Sequence, residues 1–376
     1  MLERVYFDYN ATAPALPEVV QSVSKALSIS ANSSSIHSYG RRARSQIDDA
    51  RESIAELVGA APSEIVFTSG GTESNNLAIR GVDAKMVLAS AVEHVSILSG
   101  GDNVIQVSVD SNGIVEIDAL RDFLAQAPKS TLVTVMYVNN ETGVIQPIRE
   151  ISDIVHEYGA LIHCDAVQAV GKIPCKVAEL GVDFMSISGH KLGAPQGIGA
   201  LVVREGLNLN AIIRGGGQET SVRSGTENFS GIIGFGVAAK SVNGALIEYN
   251  DLYKLREYLE NKLKMILPVR VFGQDVARIP NTSCFTMPGV SAEIQVMRLD
   301  LKGIAVSSGA ACSSGKVETS HVLRAMGVGE IEASTAIRVS MGRESNKNEI
   351  DYFVDVWAEI WRSSMKTDNF KMAMVV

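Results

Sequence analysis

The feature that most narrows the fold of this chain is a repeated pattern: a short apolar run that gives way at its C-terminal side to polar or glycine-rich residues, then a helical stretch. Ile65–Phe67 leads into Thr68-Ser69-Gly70-Gly71-Thr72-Glu73, and Leu132–Val138 into Asn139-Asn140-Glu141-Thr142-Gly143. Leu161–Cys164 leads into Asp165, and Phe184–Ile187 into Ser188-Gly189-His190-Lys191. Met86–Leu88 and Leu201–Val203 are further strand candidates. Between them, apolar residues at Ala43, Ile47, Ala50, Ile54 and Leu57 predict a helix over Arg41–Val58 that Gly59 ends. Strands alternating with helices predict an α/β fold with a mostly parallel sheet covered on both faces. Ligands of such sheets bind beyond the carboxyl ends of the strands, so the polar clusters are expected on one rim.

After Asn243 the texture changes. Leu252, Leu255, Leu259 and Leu263 mark an amphipathic helix, Val269–Phe272 and Ser283–Thr286 read as strands, and a last helix runs near Ile350–Trp361. These predict a second, smaller domain. A chain of 376 residues, 46% apolar, has room for that and for a sizeable core.

Charge and cysteine content exclude several function classes. With 34 Lys plus Arg against 42 Asp plus Glu the net charge is −8, and nucleic acid is not an expected partner. The densest basic run, Arg41-Arg42-Ala43-Arg44, reads as a solvated helix face. No 18-residue apolar stretch predicts a membrane span, and Met1–Asp8 has no secretory pattern, so the expected location is cytoplasmic. The cysteines at 164, 175, 284 and 312 match neither a disulfide framework nor a metal-ligand spacing, so no metal is expected.

Several residues could carry chemistry. Gly70–Asn75, between a strand and a helix, could cradle a phosphate, though alone it reads first as an ordinary capped helix start. Lys191 at a strand end, followed by Gly193, Gly197 and Gly199, could be desolvated and form an imine, although a single lysine is more commonly a surface residue. Asp165, with Gln168 three residues on, could keep a pyridinium nitrogen protonated or could cap its own turn. His94 could stack on a planar ring, move a proton or be structural, the reading given to His37, His156 and His163. Arg338 could clamp a carboxylate or form an ion pair. Cys312 stands apart: Ser307–Gly315 holds no residue larger than cysteine and is expected to be a mobile loop with a reactive thiol. Cys164 and Cys284 read as buried small hydrophobes, and Cys175 has no evident role.

On these residues the sequence resembles the group I cysteine desulfurases of the NifS/IscS type, class V aminotransferase relatives with the fold type I architecture of pyridoxal 5′-phosphate (PLP) enzymes. The likeness runs from Tyr6–Thr12 through Val138–Gly143 to Arg338, and its most specific parts are Ser188–Lys191, Arg223-Ser224-Gly225-Thr226 and Ser307–Ser313. It implies a large PLP-binding domain over 16–250, and a small α+β domain from 1–15 and 251–376 that carries the cysteine loop. By the same resemblance Lys191 would hold the cofactor and act as base, Asp165 would pair with the ring nitrogen, and Gln168 would bond the phenolic oxygen. His94 would stack on the ring and transfer protons, while Gly71, Thr72, Ser188 and His190 would bind the phosphate. Thr226 would reach the phosphate of the neighbouring subunit, implying a homodimer. Asn140, beside the cofactor, and Arg338 would fix the substrate carboxylate.

The implied reaction converts L-cysteine to L-alanine and leaves a persulfide on Cys312 for sulfur acceptors such as an iron–sulfur scaffold. Ser33, Gly71 and Ala194–Gly197 depart from the common family residues without removing a catalytic group. The chain ends at Val376, short of the tail with which housekeeping members dock their scaffold, so the acceptor stays open. A class V aminotransferase or a selenocysteine lyase is the alternative, but an aminotransferase would have no use for the thiol at 312. A non-catalytic relative is disfavoured by the joint presence of Lys191, Asp165, His94, Arg338 and Cys312.

Overall fold

The computed structural model describes residues 4–30, 32–244, 246–308 and 319–373. Cys312 lies outside the described residues. In chain order the strands are β1 (Val5–Tyr6), β2 (Ile65–Thr68), β3 (Met86–Ser90), β4 (Val104–Val107), β5 (Thr131–Met136), β6 (Leu161–Asp165), β7 (Phe184–Ser188), β8 (Gly199–Val203), β9 (Thr282–Thr286), β10 (Ile304–Ala305) and β11 (Ala336–Ser340). Seven of them form one sheet in the order β2-β8-β7-β6-β5-β3-β4. Only β8 runs against the rest, pairing antiparallel with both β2 and β7.

Successive side chains of a strand point to opposite faces, and here both faces are covered. Ile65 and Phe67 of β2, Leu88 of β3, Val133 and Val135 of β5, and Met185 and Ile187 of β7 enter one buried cluster. That cluster includes Ile47 and Ile54 of helix Ser38–Val58 and Phe235 of helix Phe229–Asn243. The intervening residues Val66, Val87, Ala89, Leu132, Phe184 and Leu201 face the opposite way, onto Leu77 and Ala78 of helix Gly71–Gly81. Burial on both sides is why the strands read as continuous apolar runs.

Gly59 does end helix Ser38–Val58, taking a left-handed conformation at φ 65°. Arg41, Arg42 and Arg44 are exposed and Ala43 is buried, as a solvated helix face requires.

A separate apolar cluster joins β1, β9, β10 and β11 to helices Leu252–Ile266, Ala292–Asp300 and Lys347–Ala373. At its centre Phe285 meets Phe353 and Trp357 edge to face, with ring centroids 6.3 and 5.9 Å apart. Cys284 and Ala336, the neighbours of Phe285 and Ile337, point instead into the cluster beneath the large sheet, so the β9–β11 ladder lies between the two.

The expected strand at Val269–Phe272 is reduced to a single bridge between Val271 and Phe285. Pro268 supplies no N–H at its start, and the Arg270 N–H is taken by the Thr286 hydroxyl rather than a ladder carbonyl. No helix among the described residues is long and apolar enough to cross a membrane.

Candidate active site

The carboxyl ends of β5, β6 and β7 meet at one rim, and reversed β8 brings Gly199 to the same place, opposite both Thr68 and Ser188. A Cβ at position 199 would sit 2.6 Å from the Ile187 carbonyl oxygen and 2.7 Å from Gly70 Cα, so only glycine fits. Gly70 has a φ of 152°, which lets the chain turn from β2 directly into helix Gly71–Gly81. The positive end of that helix opens onto a space of about 450 Å³ beside Thr72, Ser188 and His190. It adjoins a cavity of about 400 Å³ that is also lined by His94, Asn140, Asp165, Gln168, Lys191 and Arg338.

Asp165 ends β6 and is buried. Its Oδ1 accepts from the Val167 N–H at 3.0 Å and its Oδ2 from Asn75 Nδ2 at 2.8 Å. After β7 a 3₁₀ turn, Gly189–Leu192, carries His190 and Lys191 to the rim. Lys191 Nζ donates to the carbonyl oxygens of Asn10 and Ala11, the latter at 2.8 Å. Burial and then the Arg338 charge pull its pKa down to about 8, against the opposing pull of Asp8 and Asp165. His190, 3.2 Å from the Thr12 hydroxyl, is lowered to about 4 by burial and by Lys191 and Lys172, so it stays neutral near pH 7.

Beyond β5 the Asn139 side chain accepts from the N–H groups of Glu141 (3.0 Å) and Thr142 (2.9 Å), fixing the turn that holds Asn140. The Asn140 carbonyl accepts from Arg338 Nη1 at 2.9 Å, while Arg338 Nη2 pairs with Asp8 at 2.6 Å. Buried Arg338 Nε has no partner among the described residues, so donor capacity remains on the guanidinium. Gln168 donates from Nε2 to the Asn10 carbonyl at 2.9 Å and accepts at Oε1 from Lys172 at 2.6 Å.

The structure therefore brings Gly71, Thr72, His94, Asn140, Asp165, Gln168, Ser188, His190, Lys191 and Arg338 to one cavity. Thr226 is exposed and does not line that cavity in its own chain. The thiols of Cys164, Cys175 and Cys284 are buried, and burial raises the pKa of each, that of Cys175 to about 12. His163 is also buried, between Thr134 (2.8 Å) and Ser186 (2.9 Å). Among the described residues no cluster of three or more His, Cys, Asp or Glu is placed to hold a metal ion.

Sequence reasoning missed several groups here. His321 lines the cavity and donates from Nε2 to the Glu93 carbonyl at 2.8 Å. Glu93 and Glu141 are buried carboxyls whose pKa burial raises, that of Glu141 to about 7. Lys172 is a buried amine with a depressed pKa. Asn10 uses its N–H, carbonyl and both amide atoms on Ser340, Lys191, Gln168, Lys172, Asn140 and Thr282. Short spacings were the visible signals, Glu93 beside His94, Glu141 beside Asn140 and Lys172 four residues after Gln168, whereas the contacts of Asn10 and His321 span long stretches of chain.

The Aminotransferase class-V family model matches residues 5–353. The chain belongs to this family. It is 41% identical over 379 residues to a protein from Dictyoglomus turgidum named cysteine desulfurase IscS, covering 96% of this chain and 95% of that one. A solved NifS-like protein from Rickettsia africae superposes with a TM-score of 0.89 at 38% identity, covering 96% of this chain and all of that one. A structure described as SspA in complex with cysteine superposes with a TM-score of 0.77 at 32% identity, over 90% of this chain and 98% of that one.

Enzymes of this family use PLP. The cavity fits that group on its own chemistry: it offers an amine with a lowered pKa, a buried carboxylate, an imidazole, and a helix N-terminus with hydroxyls for a phosphate. Its volume of about 400 Å³ lies in the range of small-molecule sites.

Proposed function

We propose that this protein is a PLP-dependent cysteine desulfurase that takes sulfur from L-cysteine, releases L-alanine and holds the sulfur as a persulfide on Cys312. The observation that carries this is the shared cavity of the Lys191 amine and the Asp165 carboxylate, in a chain 41% identical to a named cysteine desulfurase.

Lys191 would hold the cofactor, Asp165 its ring nitrogen and Gln168 its phenolic oxygen; Gly71, Thr72, Ser188 and His190 would surround its phosphate. When bound, PLP supplies an electron sink for the charge left at the substrate α-carbon. Arg338 and Asn140 would fix the substrate carboxylate, with Arg338 already held by Asp8 and the Asn140 carbonyl. A pKa of about 8 leaves part of the Lys191 population neutral near pH 7, ready to take the α-proton. Burial is the largest cause of that lowered pKa at Lys191. Cys312 would attack the substrate sulfur as a thiolate. An S–S bond forms, the C–S bond breaks, and thiol plus cysteine become persulfide plus alanine with no external oxidant.

We further propose a cytoplasmic homodimer in which Thr226, exposed and away from its own cavity, reaches the cofactor phosphate of the neighbouring subunit. The proposed division is a large domain over 16–250 and a small one from 1–15 and 251–376. The proposed partners are sulfur acceptors such as an iron–sulfur scaffold.

The test is turnover of L-cysteine by the purified holoenzyme with a thiol reductant. Alanine and sulfide in equal amounts, with sulfide lost in Cys312→Ala, support the proposal. Sulfide release undiminished in Cys312→Ala contradicts it.

A further inference from the structure

We propose that Asn75 and Ser96 are positioning residues that lock His94 in the tautomer protonated at Nε2 by chaining its imidazole to the Asp165 carboxylate. The inference rests on the assignment of His94 and Asp165 to the desulfurase site and adds to that assignment which ring nitrogen carries the proton.

The direction of the hydrogen bonds is set by a backbone N–H that can only donate. Asn75, in helix Gly71–Gly81, is 1% exposed and donates from Nδ2 to Asp165 Oδ2 at 2.8 Å and to Ser96 Oγ at 2.9 Å. An amide nitrogen has two hydrogens, so both are spent. Turning the amide over would set Asn75 Oδ1 against a carboxylate oxygen. Ser96 Oγ, already accepting from Asn75, has its hydrogen left for His94 Nδ1 at 2.7 Å. The Ser96 backbone N–H donates to the same nitrogen at 3.1 Å. A ring nitrogen facing two donors is an acceptor, so the proton of the neutral imidazole sits on Nε2.

Asn75 Oδ1 is buried and has no partner among the described residues, an arrangement that costs free energy. Only the NH₂ end of this side chain is used. Burial also lowers the His94 pKa, with Lys191 and His321 acting in the same direction and Asp165 against it, so the neutral form prevails near pH 7. His94 then meets the cavity as a hydrogen-bond donor at Nε2.

The experiment is ¹⁵N NMR of the holoenzyme labelled at its histidine rings, with His94 assigned by loss of its signals in His94→Gln. The expected wild-type spectrum has His94 protonated at Nε2. In Ser96→Ala an Nδ1-protonated population appears, and kcat on L-cysteine falls about tenfold or more with KM little changed. Ser96→Thr, which keeps the hydroxyl, restores both. A wild-type His94 protonated at Nδ1 overturns the proposal, as does a Ser96→Ala enzyme with unaltered tautomer and kcat. The tautomer is read without turnover, so an enzyme inactive on L-cysteine would count against the desulfurase assignment alone.

Discussion

Lys191 Nζ donates to the carbonyl oxygen of Ala11 at 2.8 Å, so the amine proposed to hold the cofactor is itself held by the N-terminal segment of the chain. Burial and Arg338 lower its pKa to about 8, and a base with a lowered pKa loses its proton earlier as pH rises. The rate at which PLP loads onto the apoprotein should therefore rise with pH, reach half its maximum near pH 8 and then level off. A rate still climbing toward pH 10.5, the ordinary lysine value, would show that the amine is not desolvated.

Arg338 ties the Asp8 carboxylate to the Asn140 carbonyl through two different nitrogens, a fork that lysine cannot reproduce. Arg338→Lys is expected to lower kcat/KM for L-cysteine by about 10- to 100-fold, the worth of one charge-assisted hydrogen bond, mainly through KM. Steady-state kinetics against L-cysteine measure it.

Glu141 Oε2 accepts from the Ser320 hydroxyl at 2.5 Å, in full burial, and its pKa is raised to about 7. Between about pH 4.5 and 7 the folded protein keeps a proton here that the unfolded chain has lost, so this group makes stability fall as pH rises through that window. Glu141→Gln retains an acceptor for Ser320 and removes the ionisation. Thermal unfolding of the variant should show less decline from pH 5 to 8, gaining up to about 3 kcal/mol over wild type at the upper end.

Gly199→Ala places a methyl group against two backbone segments, the Ile187 carbonyl and Gly70. Neither can move aside as a side chain could. The expected cost is about 1–3 kcal/mol of stability, with weaker retention of PLP because the strand end beside Ser188 is pushed from the turn at Gly70. Denaturant titration and equilibrium dialysis of the cofactor read the two effects.

The sheet was legible because burial on both faces writes itself as apolar runs, and the ends of β5, β6 and β7 were legible because polar residues there interrupt those runs. Edge strand β4 was missed: Ile105 and Gln106 are exposed, so no continuous apolar run marks it. Two-residue strands β1 and β10 are too short for any period to show. Asp165, Lys191 and Arg338 were found through the chemistry their positions permit. Asn10 was not, because its function as a hub depends on partners 130 to 330 residues away. Val269–Phe272 reads as a strand but forms one bridge, because Pro268 has no N–H and the Arg270 N–H goes to the Thr286 hydroxyl.

The amine of Lys191 and the thiol at 312 are proposed to act as a pair, and one measurement reaches both. Holoenzyme mixed with L-cysteine and no acceptor or reductant is quenched after a single turnover, alanine is quantified, and peptides are mapped by mass spectrometry. One alanine per active site, with a single added sulfur on the peptide bearing Cys312, is the expected result. Alanine formed without sulfur on that peptide, or sulfur found on another cysteine instead, would show that Cys312 is not the sulfur acceptor.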